Sequence, residues 1–134
     1  MSATAEYPRW RRVWLVIGWL LLAILLWLAL VPLPEVAAGE MLSDKAWHAL
    51  AFMLLMLWFS SLYPRRRYLL VFLGLTAYGV LMELLQSQVP NRYAELADFY
   101  ADVIGLLLGW GCALTPLSRW PLRLEQLLGV RPHD

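Results

Sequence analysis

Charge is scarce in this sequence. Asp, Glu, Lys and Arg make up 16% of the 134 residues, while 61% are hydrophobic and the mean hydropathy is +0.59. An ordinary soluble domain carries about 25% charged and about 45–50% apolar residues. Both departures point to a membrane. The net charge is +1, which leaves no bulk electrostatic case for nucleic acid. Cysteine is nearly absent: a single residue, Cys112, excludes an internal disulfide and any multi-cysteine metal site. It lies in an apolar run and reads as a small packing residue. No repeat or low-complexity segment is evident. Period-two alternation is missing, which argues against strands. No Ser or Cys nucleophile motif is present, so covalent acyl chemistry is disfavoured, and no HExxH-type spacing marks a metal.

What the chain does have is long apolar runs. Residues 13–31 carry no charge and are long enough to cross the roughly 30 Å hydrocarbon core as a helix. Further runs cover residues 46–63, 68–88 and about 99–117, with Pro32, Pro64, Pro90 and Pro116 at their ends. The expectation is one domain over residues 1–134, an all-α membrane bundle of four transmembrane helices. A signal peptide is the rival reading of the first run, with "RWRR" before it and "VAAG" after it, but an h-region spans about 7–15 residues and this run is longer. Orientation follows from Lys and Arg. Arg9, Arg11, Arg12, Arg65, Arg66, Arg67, Arg119, Arg123 and Arg131 fall on one side, and only Lys45 and Arg92 on the other. The acids invert this: only Glu6, Glu125 and Asp134 share the arginine-rich side. Both termini are therefore expected in the cytoplasm and the acidic side outside. The tail "RWPLRLEQLLGVRPHD" reads either as a short helix on the inner surface or as a frayed, solvated end.

Polar residues in such a chain need an explanation. Asp44 and His48 are four apart and share a helix face, with Ser43 or Asp44 as a candidate N-cap. Thr76, Gly79, Glu83 and Gln86 form one stripe on the third span, and Asp98, Asp102, Gly105 and Gly109 another on the fourth. Gly105 and Gly109 make a GxxxG pair, which lets a neighbouring helix approach closely. Each stripe joins small residues to ionisable ones, so the ionisable residues are expected to face the bundle interior. A charge facing mid-bilayer lipid costs at least about 2.5–3.5 kcal/mol, and clustering avoids that cost. His48, Glu83 and Asp102 are expected at one level, with Asp44, Gln86, Arg92 and Asp98 above them. Structural roles fit the same residues: a His48–Asp102 hydrogen bond, Glu83 and Gln86 as glue between spans, Asp98 as an N-cap, and Arg92 neutralising Glu95 or Asp98. The functional reading of Arg92 is an anion holder. Trp10, Trp14, Trp47, Tyr63, Tyr68, Tyr93 and Trp120 read as interfacial anchors.

The ordered set "DKAWHALAFMLL" and "YGVLMELLQSQVPNRYAELADFYADVIGLLLG" resembles the VanZ-like family of small bacterial membrane proteins. The matching residues are Asp44, Lys45, His48, Phe52, Glu83, Gln86, Arg92 and Asp98, within residues 42–110. One departure is Asp102, where the family usually has Asn; a carboxylate accepts only, unless protonated. The resemblance implies a multi-pass plasma-membrane protein of the cell envelope, associated with low-level resistance to glycopeptides such as teicoplanin, and it implies no particular reaction.

Three functions compete on the sequence. In the first, an outward polar pocket with Asp44, Gln86, Arg92 and Asp98 as ligand-binding residues takes an envelope lipid, a lipid-linked cell-wall precursor or another amphiphile. In the second, a membrane hydrolase or transferase acts on a polyprenyl-phosphate or similar substrate, with His48 as general acid or base and Glu83 and Asp102 orienting it or holding a divalent cation. The third, ion or proton transport, ranks last, because the polar residues occupy only one half of the spans and no continuous polar path is visible.

Overall fold

A computed structural model describes residues 7–31, 41–90 and 92–130; of residues 41–44 it describes the backbone only. Five α-helices account for most of it: α1 (Arg11–Leu30), α2 (Met41–Ser60), α3 (Tyr68–Gln86), α4 (Leu96–Ala113) and α5 (Trp120–Leu127). No strand occurs among the described residues. Three stretches are long and apolar enough to cross a membrane: Arg11–Leu30, Arg65–Gln86 and Leu96–Ala113. The described apolar stretch of α2, Lys45–Ser60, is shorter.

The breaks follow local chemistry. Val31, ahead of Pro32, is extended (φ −67°, ψ 128°) and ends α1, as steric conflict with a following proline ring requires. Pro64 is likewise extended, and the Arg65–Arg67 turn then leads into α3. Thr115 caps the Pro116–Arg119 turn by accepting from the Leu117 N–H at 3.2 Å. Gly129, at φ 77°, takes the left-handed conformation that stops α5. Helix α2 already includes residues 41–45, so Ser43 and Asp44 lie inside it and are not its N-cap.

Successive helices run antiparallel, which gives the molecule two ends. At one, Arg11 Nε donates to the Leu62 carbonyl at the end of α2, and Arg65 Nη2 donates to the Leu114 carbonyl at the end of α4. Most arginines and α5 gather there; we call it the basic end. At the other, the acidic end, Gln86 Nε2 from α3 donates to the Ala29 carbonyl of α1.

The closest packing joins α2 to α4. A Cβ on Gly105 would collide with the Ala49 carbonyl oxygen, and one on Gly109 with the Met53 carbonyl oxygen. The GxxxG pair thus seats the α4 backbone directly on α2, as its spacing predicts. Phe52, Leu55, Met56, Leu75, Met82 and Leu106 fill the core between α2, α3 and α4. Helix α1 buries only Trp14, Gly18 and Leu22 and leaves Val13, Val16, Trp19, Ile24 and Trp27 exposed. It is peripheral, as its lack of a polar stripe suggests, but it is pinned at both termini by groups from other helices.

Candidate functional site

At the acidic end, α2, α3 and α4 each turn an ionisable side chain inward. His48 comes from α2, Glu83 from α3, and Asp98 and Asp102 from α4, four residues apart on one face. Tight α2–α4 packing brings His48 Nδ1 to 3.0 Å from Asp102 Oδ1. Asp102 is almost fully buried, and its second oxygen, Oδ2, has no hydrogen-bond partner among the described residues. Gly79 makes room for that oxygen: a Cβ there would stand 3.1 Å from Asp102 Oδ2. A methyl group there would crowd that oxygen and the Phe52 ring by a few tenths of an ångström, so the small residue of the α3 stripe serves the acid of the neighbouring helix.

Glu83 is 8% exposed, and neither of its carboxylate oxygens has a hydrogen-bond partner among the described residues. The Glu95 backbone amide approaches this carboxylate without reaching hydrogen-bond geometry. Asp98 is also buried, and its Oδ1 lacks a hydrogen bond while lying 3.5 Å from Lys45 Nζ. Lys45 is held more closely by Glu95, at 2.9 Å. One ligand atom from each of His48, Glu83 and Asp98 falls within 4.8 Å of the other two. The level expected for His48, Glu83 and Asp102 therefore also contains Asp98, which does more than suit a helix start: its side chain makes no N-cap bond, and Glu95 occupies the cap position.

Gln86 and Arg92 turn the other way. Arg92 donates from Nε and Nη2 to the Val31 carbonyl at 3.3 and 3.1 Å, and from Nη2 to the Leu28 carbonyl at 3.3 Å. Together with Gln86 it satisfies carbonyls that the end of α1 would leave without helical partners. Arg92 pairs with neither Glu95 nor Asp98; Lys45 takes that part. Its Nη1 amine makes no bond among the described residues. The Asp44 side chain lies outside the described residues.

No family model, curated protein or solved structure matches this chain. The geometry therefore stands on its own.

Two cavities adjoin the site. A groove of about 560 Å³ runs between α1 and α2, from Trp58 and Trp120 near the basic end to Trp47 near the acidic end, walled by Leu21, Ile24, Leu50 and Leu54. It is almost wholly apolar. A second pocket of about 230 Å³ shares Leu25, Trp47 and Ala51 with it and adds His48, Gln86 and Arg92. A long apolar groove thus borders a smaller, mainly apolar pocket to which His48, Gln86 and Arg92 bring polar groups. Trp47, read as an interfacial anchor, stands at their junction.

One buried acid escaped the sequence reading. Glu125 of α5 is 3% exposed and accepts three hydrogen bonds: Oε2 from the Arg9 N–H at 2.8 Å, and Oε1 from the Trp10 N–H at 2.9 Å and the Trp14 indole N–H at 2.8 Å. It caps α1 from another part of the chain, where a negative charge suits the helix dipole. Of the tail, residues 119–130 are described; they include the short helix expected, α5, which Glu125 ties to the start of α1. No local pattern marks Glu125, because its three donors lie more than 100 positions earlier in the sequence.

Proposed function

We propose that the chain is a multi-pass protein of the bacterial plasma membrane that binds an amphiphile with an anionic headgroup. In this reading all four long helices, α1 to α4, cross the bilayer. The arginine-rich basic end and both termini are cytoplasmic, in keeping with the bias of Lys and Arg toward the inner side. The acidic end then opens at the outer leaflet. The observation that carries the reading is the apolar groove between α1 and α2 with, sharing Leu25, Trp47 and Ala51, a smaller pocket that holds His48, Gln86 and Arg92. Ligand sites are typically about 300–1,000 Å³, mostly apolar, with a few convergent polar groups. Here a hydrocarbon chain fits along Leu21, Ile24 and Leu54, while Arg92 Nη1 and His48 meet the headgroup. Resemblance to the VanZ-like family adds the cell envelope as the setting and lowered glycopeptide susceptibility as the phenotype, with a lipid-linked cell-wall precursor as one such amphiphile.

Native mass spectrometry of the purified protein tests this. With undecaprenyl phosphate, phosphatidylglycerol and phosphatidylcholine offered in equal amounts, the two anionic lipids should be retained over the zwitterionic one. Ala51→Phe, which plugs the junction of the cavities, should erase that preference. Equal retention of all three, or an unaffected Ala51→Phe variant, contradicts the reading. Teicoplanin susceptibility at matched expression then tests the phenotype separately.

The buried His48–Asp102 pair favours a second reading, a membrane hydrolase or transferase of lipid phosphates with His48 moving the proton and Asp102 orienting its ring. Release of inorganic phosphate from undecaprenyl phosphate, a monoester that water cleaves to the alcohol and phosphate, by the wild type but not by His48→Gln would support the hydrolase.

A further inference from the structure

We propose that His48, Glu83 and Asp98 hold one divalent cation of the first transition row, with Asp102 orienting the histidine. The site takes His48 from the smaller pocket of the proposed function, which leaves the headgroup there to Arg92. Three separate helices each supply one ligand atom, and these atoms lie within 4.8 Å of one another. Ligands bound at about 2.0–2.2 Å stand about 3–4 Å apart around an ion, so side-chain rotation alone closes the gap.

Proximity of acids is common without an ion. What distinguishes this cluster is Glu83, which is more than nine-tenths buried, is aimed at the other two ligands and has both oxygens without hydrogen bonds among the described residues. A buried carboxylate left in that condition is costly. Charge counts agree. Glu83, Glu95, Asp98 and Asp102 converge here; among the described residues Lys45 pairs with Glu95 and, at 3.5 Å, Asp98, and His48 pairs with Asp102, which leaves Glu83 without an ion pair. A cation answers the remaining negative charge and ties α2, α3 and α4 together.

The donors also select the ion. An imidazole with carboxylate oxygens and no thiolate suits zinc, manganese or iron better than magnesium or calcium, for which all-oxygen sets are usual. The Asp102 carboxylate at 3.0 Å from His48 Nδ1 is the kind of outer partner that fixes a ligating imidazole.

The test uses the full-length, tag-free protein in detergent, stripped with chelator and dialysed against Zn²⁺ or Mn²⁺. One equivalent per chain should be retained, with a rise in melting temperature. X-ray absorption of the zinc-loaded wild type should give one imidazole nitrogen with oxygen donors and no sulfur. Glu83→Gln and Asp98→Asn should each abolish stoichiometric binding while keeping wild-type helicity, and Asp102→Asn should weaken it about 10–100-fold. No retained metal, an all-oxygen or multi-histidine spectrum, or binding that survives both ligand substitutions overturns the proposal. The wild-type spectrum decides even if a variant fails to fold.

Discussion

The two ends of the bundle treat a buried carboxylate in opposite ways. At the basic end Glu125 meets three N–H donors, each within 2.9 Å. At the acidic end Glu83 meets none among the described residues, and Asp98 and Asp102 each keep an oxygen without a hydrogen bond. The chain can satisfy an acid when the acid's part is structural. The contrast teaches that burial alone does not mark function. An acid whose hydrogen bonds are complete serves the fold, whereas one held out of water without partners is arranged for something that arrives.

Substitutions can break or sharpen this contrast. The largest effect should come from the seam that creates the acidic site. Gly105→Val drives a branched side chain into the Ala49 backbone, and overpacking against backbone that cannot yield costs about 3 kcal/mol or more. We expect little folded protein in detergent, read as aggregation on size exclusion. Next is Glu125→Gln. The amide replaces one accepting oxygen with an NH₂ group, which then faces an N–H donor whichever way it is turned. The expected loss is about 2 kcal/mol, measured as an earlier unfolding midpoint in an SDS titration. Glu83→Gln should act with the opposite sign in chelator: removing a buried carboxylate that lies among other acids without a hydrogen bond among the described residues should raise stability by about 1 kcal/mol. Arg92→Ala should have the smallest effect on stability, about 0.5 kcal/mol, because its bonds to the Leu28 and Val31 carbonyls are exposed. It should also speed hydrogen exchange in the last turn of α1.

The acidic site was largely legible in the sequence because its members obey helical spacing. Asp98 and Asp102 share a face with Gly105 and Gly109, and Glu83 shares one with Gly79. The cost of exposing charge to lipid turns such faces inward without any knowledge of the tertiary fold. What spacing did not show are contacts with distant backbone groups. Arg92 and Gln86, read as ligand-binding residues, also bond carbonyls at the end of α1, some 60 positions away in sequence. Glu125 was invisible for the same reason, since its donors at Arg9, Trp10 and Trp14 lie more than 100 positions earlier. The groove between α1 and α2 leaves no trace in periodicity, because lipid-facing and cavity-facing leucines read alike.

The most direct test sets the isosteric substitutions Glu125→Gln and Glu83→Gln side by side, as unfolding midpoints of metal-stripped protein in one chelating buffer. The account predicts opposite signs: a lower midpoint for Glu125→Gln and a higher one for Glu83→Gln. Comparable losses in both would mean that Glu83 is as well satisfied in the fold as Glu125, and would contradict it.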